Sequence, residues 1–122
     1  ENLKLKNFSI LPGSEIKLLK GLKLGCSGII TATCNVTAEL SRLVYDDFFA
    51  GKKQLHNNKL CDVRNTFDKY NLISGLHTYC AQHDQIYKNI LPPLSLLNQN
   101  DEEKLMNRLK DLEFYKKSTL AA

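Results

Sequence analysis

The first third of the chain carries the pattern of a strand, a helix and a second strand, and this pattern constrains the fold more than any other feature. Phe8 to Leu11 is a short apolar run that stops at the turn pair Pro12-Gly13. Leucines at helical spacing then alternate with lysines as far as Gly25, and Gly28 to Thr33 is rich in small and β-branched residues. A parallel pair of strands with one crossover helix cannot bury both of its faces alone. The sequence therefore predicts a part of a larger sheet or barrel.

The middle of the chain is predicted to be helical. Ser14 is a natural N-cap for the crossover helix, and Thr37 is the expected cap of the next helix, which ends at Gly51. Between residues 60 and 87, apolar side chains recur at intervals of three and four, which predicts two further helices separated by Ser74-Gly75. No later segment carries a strand pattern of comparable quality.

The last part of the chain contains a connector and one more helix. Pro92 and Pro93 each lack an amide hydrogen and restrict the residue before them, so an extended connector is predicted around them. The final helix is expected to begin near residue 100 or 101, with acidic residues in its first turn, and to bury Leu105, Leu109 and Leu112. Residues after 115 are expected to fray.

The composition is that of one globular domain. The chain has 122 residues, of which 43% are hydrophobic and 25% are charged, as in ordinary soluble proteins. No apolar run reaches the roughly 18 to 20 residues that cross a bilayer. The net charge is +4, but the lysines are dispersed and no aromatic residues alternate with them. We therefore expect a soluble, cytoplasmic protein that binds neither membrane nor nucleic acid.

The cysteines and histidines lack the spacing of a metal site. Cys26, Cys34, Cys61 and Cys80 lie far apart without a Cys-x-x-Cys pair, so we expect reduced and mostly buried thiols. Cys80 and His83 lie one helical turn apart, but two ligands are too few for zinc. His83 is expected to be a core or interface residue, and no metal is predicted.

Three motifs, in order along nearly the whole chain, carry a resemblance to a known family. They are Pro12-Gly13-Ser14-Glu15 after the first apolar run, the segment from Gly28 to Val36, and Leu91-Pro92-Pro93-Leu94 before the final helix. In this order and at these separations the chain resembles the C-terminal portion of the dihydrodipicolinate synthase and N-acetylneuraminate lyase superfamily of pyruvate-dependent aldolases.

The resemblance implies an α/β fold, namely the end of a (β/α)8 barrel, or TIM barrel, followed by a helical extension. Phe8 to Leu11 would be strand seven and Gly28 to Thr31 strand eight. Residues 1–50 would form the final two β/α units and residues 51–122 a C-terminal helical subdomain, with mostly α content in one continuous fragment. Because such a barrel closes with eight strands, the chain cannot form it unaided.

The resemblance also implies the chemistry of the parent protein. Members form a Schiff base between a lysine on strand six and the keto carbon of pyruvate, and cleave or form a C–C bond without a metal or organic cofactor. That lysine would lie upstream of Glu1, so no catalytic residue is predicted in this chain. The parent protein is expected to be a homo-oligomeric lyase acting on pyruvate or a related 2-keto acid, whereas the fragment alone should be inert.

The predicted substrate-binding residues lie in the loop after strand seven and at the end of strand eight. By the resemblance, Gly13, Ser14 and Glu15 would line the pocket for the distal end of the substrate, and the backbone carbonyl of Ile30 would face the reaction centre. Thr31 and Ala32 would lie near the same mouth. Sialic acid lyases usually carry serine where this chain has Ala32, and the Gly-Ser-Glu triplet is similar to that of lyases acting on 2-keto-3-deoxy sugar acids.

Two alternatives stay open at this point. Pro-Gly-Ser-Glu is also an ordinary turn followed by a helix cap, and the side chain of Ile30 would be core under either interpretation. In the second alternative, the whole chain is a non-catalytic helical module that binds a protein partner or itself through apolar surface that a barrel would otherwise cover.

Overall fold

The computed structural model describes residues 6–115, and the segment predicted to fray lies outside this range. Five α-helices and two short 3-10 turns form the described chain. The helices are α1 (Leu18–Lys23), α2 (Cys34–Phe49), α3 (Asn57–Phe67), α4 (Leu72–Ala81) and α5 (Gln99–Asp111), and the 3-10 turns are Glu15–Lys17 and Gln85–Lys88. Within these residues, no helix has the length and apolar character of a membrane span.

The predicted mostly α content is confirmed, but the two predicted strands are not formed in residues 6–115, where the described chain is all-helical. Both segments are irregular, although the amide of Ser27 donates to the carbonyl of Ile10 (2.9 Å) and that of Ile30 to Pro12 (3.2 Å). Residue numbers rise together in these two pairs, so the segments run parallel. A strand needs a hydrogen-bonded ladder with its neighbours, and two bonds do not make one.

The helix starts differ from the predicted caps. The side chain of Ser14 makes no capping hydrogen bond, and the chain enters α1 through the 3-10 turn Glu15–Lys17. The next helix begins three residues before Thr37, which therefore lies inside α2 with its side chain buried. The predicted helix ends at Gly25 and Gly51 are confirmed, because both glycines follow a helix with positive φ angles of 89° and 65°.

Two apolar clusters hold the helices together. The first joins α1, α2 and α3 through Leu18, Leu22, Leu40, Val44 and Leu60. The second joins α3, α4 and α5 and has the ring of Phe67 at its centre, packed edge-on against Tyr79 at 5.8 Å between ring centroids. Because α3 contributes to both clusters, the first two helices and the C-terminal helices share one packed body.

The helix α4 corrects two predictions. Gly75 does not separate two helices but lies inside α4, which begins after Asn71, whose side chain accepts a hydrogen bond from the amide of Ser74. The helix then ends at Ala81, before His83. His83 is exposed, so the prediction of a core position is wrong. The centroid of its ring lies 5.7 Å from that of the Tyr79 ring.

The C-terminal predictions are confirmed in part. The proline pair lies in a non-helical connector, but it forms a turn and is not extended. The Pro92-Pro93 peptide is cis, and the amide of Leu94 donates to the carbonyl of Leu91 (3.1 Å).

The side chain of Asn98 caps α5 by accepting from the amide of Asp101 (2.9 Å). Leu105 and Leu109 are buried in the second cluster as predicted, whereas Leu112, just after the helix, is only partly buried. The Asn98 cap explains why α5 begins at Gln99, one or two residues before the predicted start.

Candidate functional site

The structure brings the two predicted substrate-binding segments together. We call residues 13–15 and 30–32 the rim segments. The hydrogen bond from Ile30 to Pro12 joins them, and a Cβ atom at Gly13 would lie 3.8 Å from the carbonyl oxygen of Ile30. Thr31 Oγ1 donates to Glu15 Oε1 at 2.7 Å. Side chains from two loops sixteen residues apart in sequence therefore meet at one edge of the molecule.

Glu15 is the one charged residue of the rim segments, and its side chain has no exposed surface. Its Oε1 atom accepts hydrogen bonds from the hydroxyl groups of Thr31 (2.7 Å), Thr37 (2.9 Å) and Thr33. Its Oε2 atom accepts from Arg64 Nη1 at 2.9 Å. We call these five residues the Glu15 network. Both carboxylate oxygens are thus engaged by protein donors, as a buried charge requires.

Arg64 reaches this carboxylate from α3, and its side chain is 12% exposed. Its Nη1 atom also donates to Thr33 Oγ1 at 3.0 Å, while its Nε atom donates to Asp68 Oδ1 at 2.9 Å. Contacts on two sides of the guanidinium fix its plane. The helical part of the chain is thereby tied directly to the rim segments.

The hydrogen bonds decide the charge state of Glu15. Burial favours the neutral acid and raises the pKa of Glu15, but the hydrogen bonds from Thr33 and Thr31, its own backbone amide and Thr37 outweigh this effect, so its pKa lies below the ordinary value. Burial alone lowers the pKa of Arg64, yet its bonds to Asp68 and Glu15 raise it overall. The network therefore holds a carboxylate and a guanidinium, both ionised at neutral pH.

The remaining predicted site residues have different environments. Gly13 is exposed, and the half-buried Ser14 accepts a hydrogen bond from the amide of Lys17 through its carbonyl (3.0 Å). The side chain of Ile30 is 70% exposed, so the prediction that it is core is wrong, because no residue of the described chain covers it. Ala32 is half-buried and packs against the second apolar cluster.

Three members of the network were not predicted as site residues. Thr33 and Thr37 follow Thr31 at spacings of two and six, and this run of hydroxyl groups is visible in the sequence. Arg64 gave no signal, because a cation between apolar positions of an amphipathic helix normally faces water. Its role requires the tertiary contact with Glu15.

A separate groove of about 1030 Å³ opens between α2, α4 and the end of the described chain. Its apolar walls include Leu43, Ile73 and Phe114, and His56 and His77 also line it. Of the predicted site residues, Ala32 alone lines this groove. Within residues 6–115, no group of three or more His, Cys, Asp or Glu side chains is placed to hold a metal ion, and none of the four cysteines forms a disulfide.

Comparison with known protein families identifies the chain. The model of the dihydrodipicolinate synthetase family matches residues 2–112. The chain belongs to this family. The match spans both rim segments and all five helices, so the resemblance carried by the three sequence motifs is confirmed. No curated protein matches the chain significantly.

Solved structures of this family share the fold of the chain. A dihydrodipicolinate synthase from Thermotoga maritima has a TM-score of 0.78 at 18% identity, with 89% of this chain and 38% of that chain covered. One from Bacillus anthracis has a TM-score of 0.79 at 16% identity, covering 93% and 39%. A monomeric dihydrodipicolinate synthase variant has a TM-score of 0.77 at 19% identity, with 88% of this chain and 37% of that chain covered. The chain thus spans less than two fifths of the length of these relatives.

Proposed function

We propose that the chain is the C-terminal part of a lyase that forms a Schiff base with pyruvate and makes or breaks a C–C bond, and that it supplies one side of the substrate pocket. The observation that carries this proposal is the meeting of the two rim segments. They follow two parallel segments, Phe8 to Leu11 and Gly28 to Ile30, at the same end of each. In a (β/α)8 barrel, loops at the carboxyl ends of the strands form the active site.

The exposed apolar side chains support a larger barrel. Phe8, Ile10, Leu11 and Ile30 are between 42% and 70% exposed, although they lie in the segments predicted as strands. A barrel strand has neighbours on both edges and packing on both faces. The remaining strands would cover these side chains and complete the ladder that two hydrogen bonds begin.

The lysines support a nucleophile outside the described residues. A Schiff-base lysine needs a desolvated site that lowers its pKa. In residues 6–115 every lysine is exposed except Lys59, which is half-buried and donates from Nζ to the carbonyl of Glu113 (3.0 Å). This arrangement supports a fragment that is inert alone. Homo-oligomer formation and a cytoplasmic location remain predictions for the parent protein.

The test is reductive trapping. A longer protein that carries this segment is incubated with pyruvate and borohydride, and the intact mass is measured, with this chain alone as the control. We expect one reduced pyruvate adduct on a lysine of the longer protein and none on the control. If the longer protein forms no adduct, the aldolase proposal fails.

The exposed apolar segments also favour a second candidate, a non-catalytic module that associates with a protein partner or itself. Size-exclusion chromatography of the chain distinguishes this module from the lyase fragment when Ile30→Ser is compared with the unmodified protein. Self-association that Ile30→Ser abolishes, together with no pyruvate adduct in the longer protein, would support the module. A monomer at all concentrations would count against it.

A further inference from the structure

The Glu15 network contains a buried ion pair that the proposed chemistry does not use. The pair lies beside the rim segments and joins the C-terminal helices to them, since Arg64 belongs to α3 and Glu15 to the 3-10 turn before α1. A buried carboxylate without its cation is strongly unfavourable. The position of the Glu15 side chain therefore depends on Arg64.

Glu15 in turn fixes the hydroxyl group of Thr31. An ionised carboxylate can only accept hydrogen bonds, and a threonine hydroxyl has one proton to donate. The Thr31 proton points to Glu15 Oε1 (2.7 Å), and Thr31 Oγ1 also lies 3.1 Å from Thr33 Oγ1. The amide of Cys34 donates to Thr31 Oγ1 at 3.1 Å and to the Thr31 carbonyl at 3.3 Å. The hydroxyl is thus held between the carboxylate and the first turn of α2, and its orientation is set by Glu15.

The geometry of Arg64 makes it a rigid support. Its Nη1 atom holds Glu15 Oε2 and Thr33 Oγ1, and its Nε atom holds Asp68 Oδ1. A lysine has one donor group at the end of a flexible chain and cannot reproduce contacts on two sides of a planar group. The support therefore depends on the guanidinium shape as well as on its charge.

We propose that Arg64 is a positioning residue for the substrate pocket, acting through Glu15 on Thr31 and the rim segments without touching the substrate. The expected effect of Arg64 on catalysis rests on the proposed function. Its effect on the positions of Glu15 and Thr31 does not. Because Glu15 has no exposed surface and both of its oxygens are engaged, its role is to hold the rim, and the accessible groups of the rim segments make the contacts with substrate.

The first experiment uses the chain itself. Threonine methyl signals and amide hydrogen exchange are measured by NMR in Arg64→Gln, Arg64→Lys and Glu15→Gln. The matched control is Arg42→Gln, since Arg42 pairs with Asp46 across one helical turn and is 69% exposed. We expect Arg64→Gln and Glu15→Gln to shift the same Thr31 and Thr33 signals and to reduce protection of the Cys34 amide by about tenfold, the effect of losing one hydrogen bond.

Arg64→Lys should give an intermediate shift, because it keeps the charge and loses the two-sided contact, and Arg42→Gln should give none. If Arg64→Gln unfolds the chain, Arg64→Lys decides the matter. A folded Arg64→Lys or Arg64→Gln variant with unchanged Thr31 signals and unchanged Cys34 protection would overturn the proposal.

The second experiment uses the longer protein with its aldol substrate. In Arg64→Lys we expect the KM for the second substrate to rise by about tenfold, the effect of one misplaced hydrogen bond, while pyruvate trapping by borohydride stays unchanged. Equal losses of trapping and turnover would contradict a positioning role. If the unmodified protein traps no pyruvate, the proposed function fails, and the NMR measurement still decides whether Arg64 positions Thr31.

Discussion

Arg64 Nη1 lies 2.9 Å from Glu15 Oε2, although the two residues are separated by 49 positions in sequence. One residue belongs to a predicted substrate-binding loop and the other to the helical part of the chain. The contact is buried, so its free energy is not screened as that of a surface ion pair is. It ties α3 directly to the rim segments.

Replacing Glu15 by Gln is expected to destabilise the chain by about 3 kcal/mol, because the buried network then loses its charge and places an amide NH₂ group among hydrogen-bond donors. The measurement is urea unfolding at neutral pH. The free energies of unfolding are compared where the dependence on urea concentration has the same slope in both proteins. Asp46→Asn is the matched control. Its partner Arg42 is exposed, so we expect a change of about 0.5 kcal/mol or less. Equal effects of the two substitutions would contradict the buried network.

The stability of the chain should fall as the pH is lowered below about 5, partly because of Glu15. Its pKa in the folded chain is lowered from the ordinary value and therefore lies below that of the unfolded chain. Ionisation then favours the folded state, so the contribution of Glu15 is complete above the unfolded pKa and disappears as the pH falls through the folded pKa. Urea unfolding of the unmodified chain and Glu15→Gln between about pH 7 and pH 3 measures this difference.

The charged and titratable groups around Glu15 do not reverse the direction in which stability changes with pH. Arg64 stays cationic throughout, and Asp68 is bonded to Arg64 and not to Glu15. The pKa of the Cys61 thiol is raised by burial and by the charges of Asp62 and Glu15, so it stays neutral in acid. The free-energy curve of Glu15→Gln should therefore be flatter in acid than that of the unmodified chain. Parallel curves would show that Glu15 does not titrate with folding.

The helices could be predicted because their signals are local. The spacing that buries Leu60 and Phe67 in α3, and Leu105 and Leu109 in α5, is complete within each segment. The strands could not be assigned in the same way, because a strand is stabilised by neighbours that are distant in sequence. Gly75 shows the same limit, since packing of α4 against Phe67 outweighs the weak helix preference of one glycine.

The candidate site was predicted in part for a related reason. The motifs placed Gly13 to Glu15 in a loop and Ile30 to Ala32 at the end of a strand, and the structure brings these two segments together. The direction in which Glu15 points could not be predicted, because an acidic residue after a turn is normally a solvent-exposed helix start. Only the tertiary position of Arg64 distinguishes a buried anchor from an exposed ligand-binding side chain.

Phe67→Ala should cost about 3 to 4 kcal/mol of unfolding free energy, because it leaves a cavity in the cluster that joins α3, α4 and α5. Phe67 is fully buried and packs edge-on against Tyr79. Phe49→Ala is the control, since this ring is 63% exposed and the expected loss is about 1 kcal/mol or less. Urea unfolding followed by circular dichroism measures both, and similar losses would mean that the second cluster is not the main core.

Gly75→Ala is expected to stabilise the chain by about 0.5 to 1 kcal/mol, because alanine in a helix interior restricts the unfolded chain more than glycine does. The space is available, since the new Cβ would lie 3.5 Å from Phe67 Cδ1 and 4.0 Å from Tyr70 Cβ, which are ordinary contacts. Gly25→Ala is the opposite control. Its φ angle of 89° is one that alanine rarely adopts, so we expect a loss of about 1 kcal/mol. Thermal unfolding of the two variants should shift the midpoint in opposite directions, and a lower midpoint for Gly75→Ala would mean that Phe67 cannot accept the added methyl group.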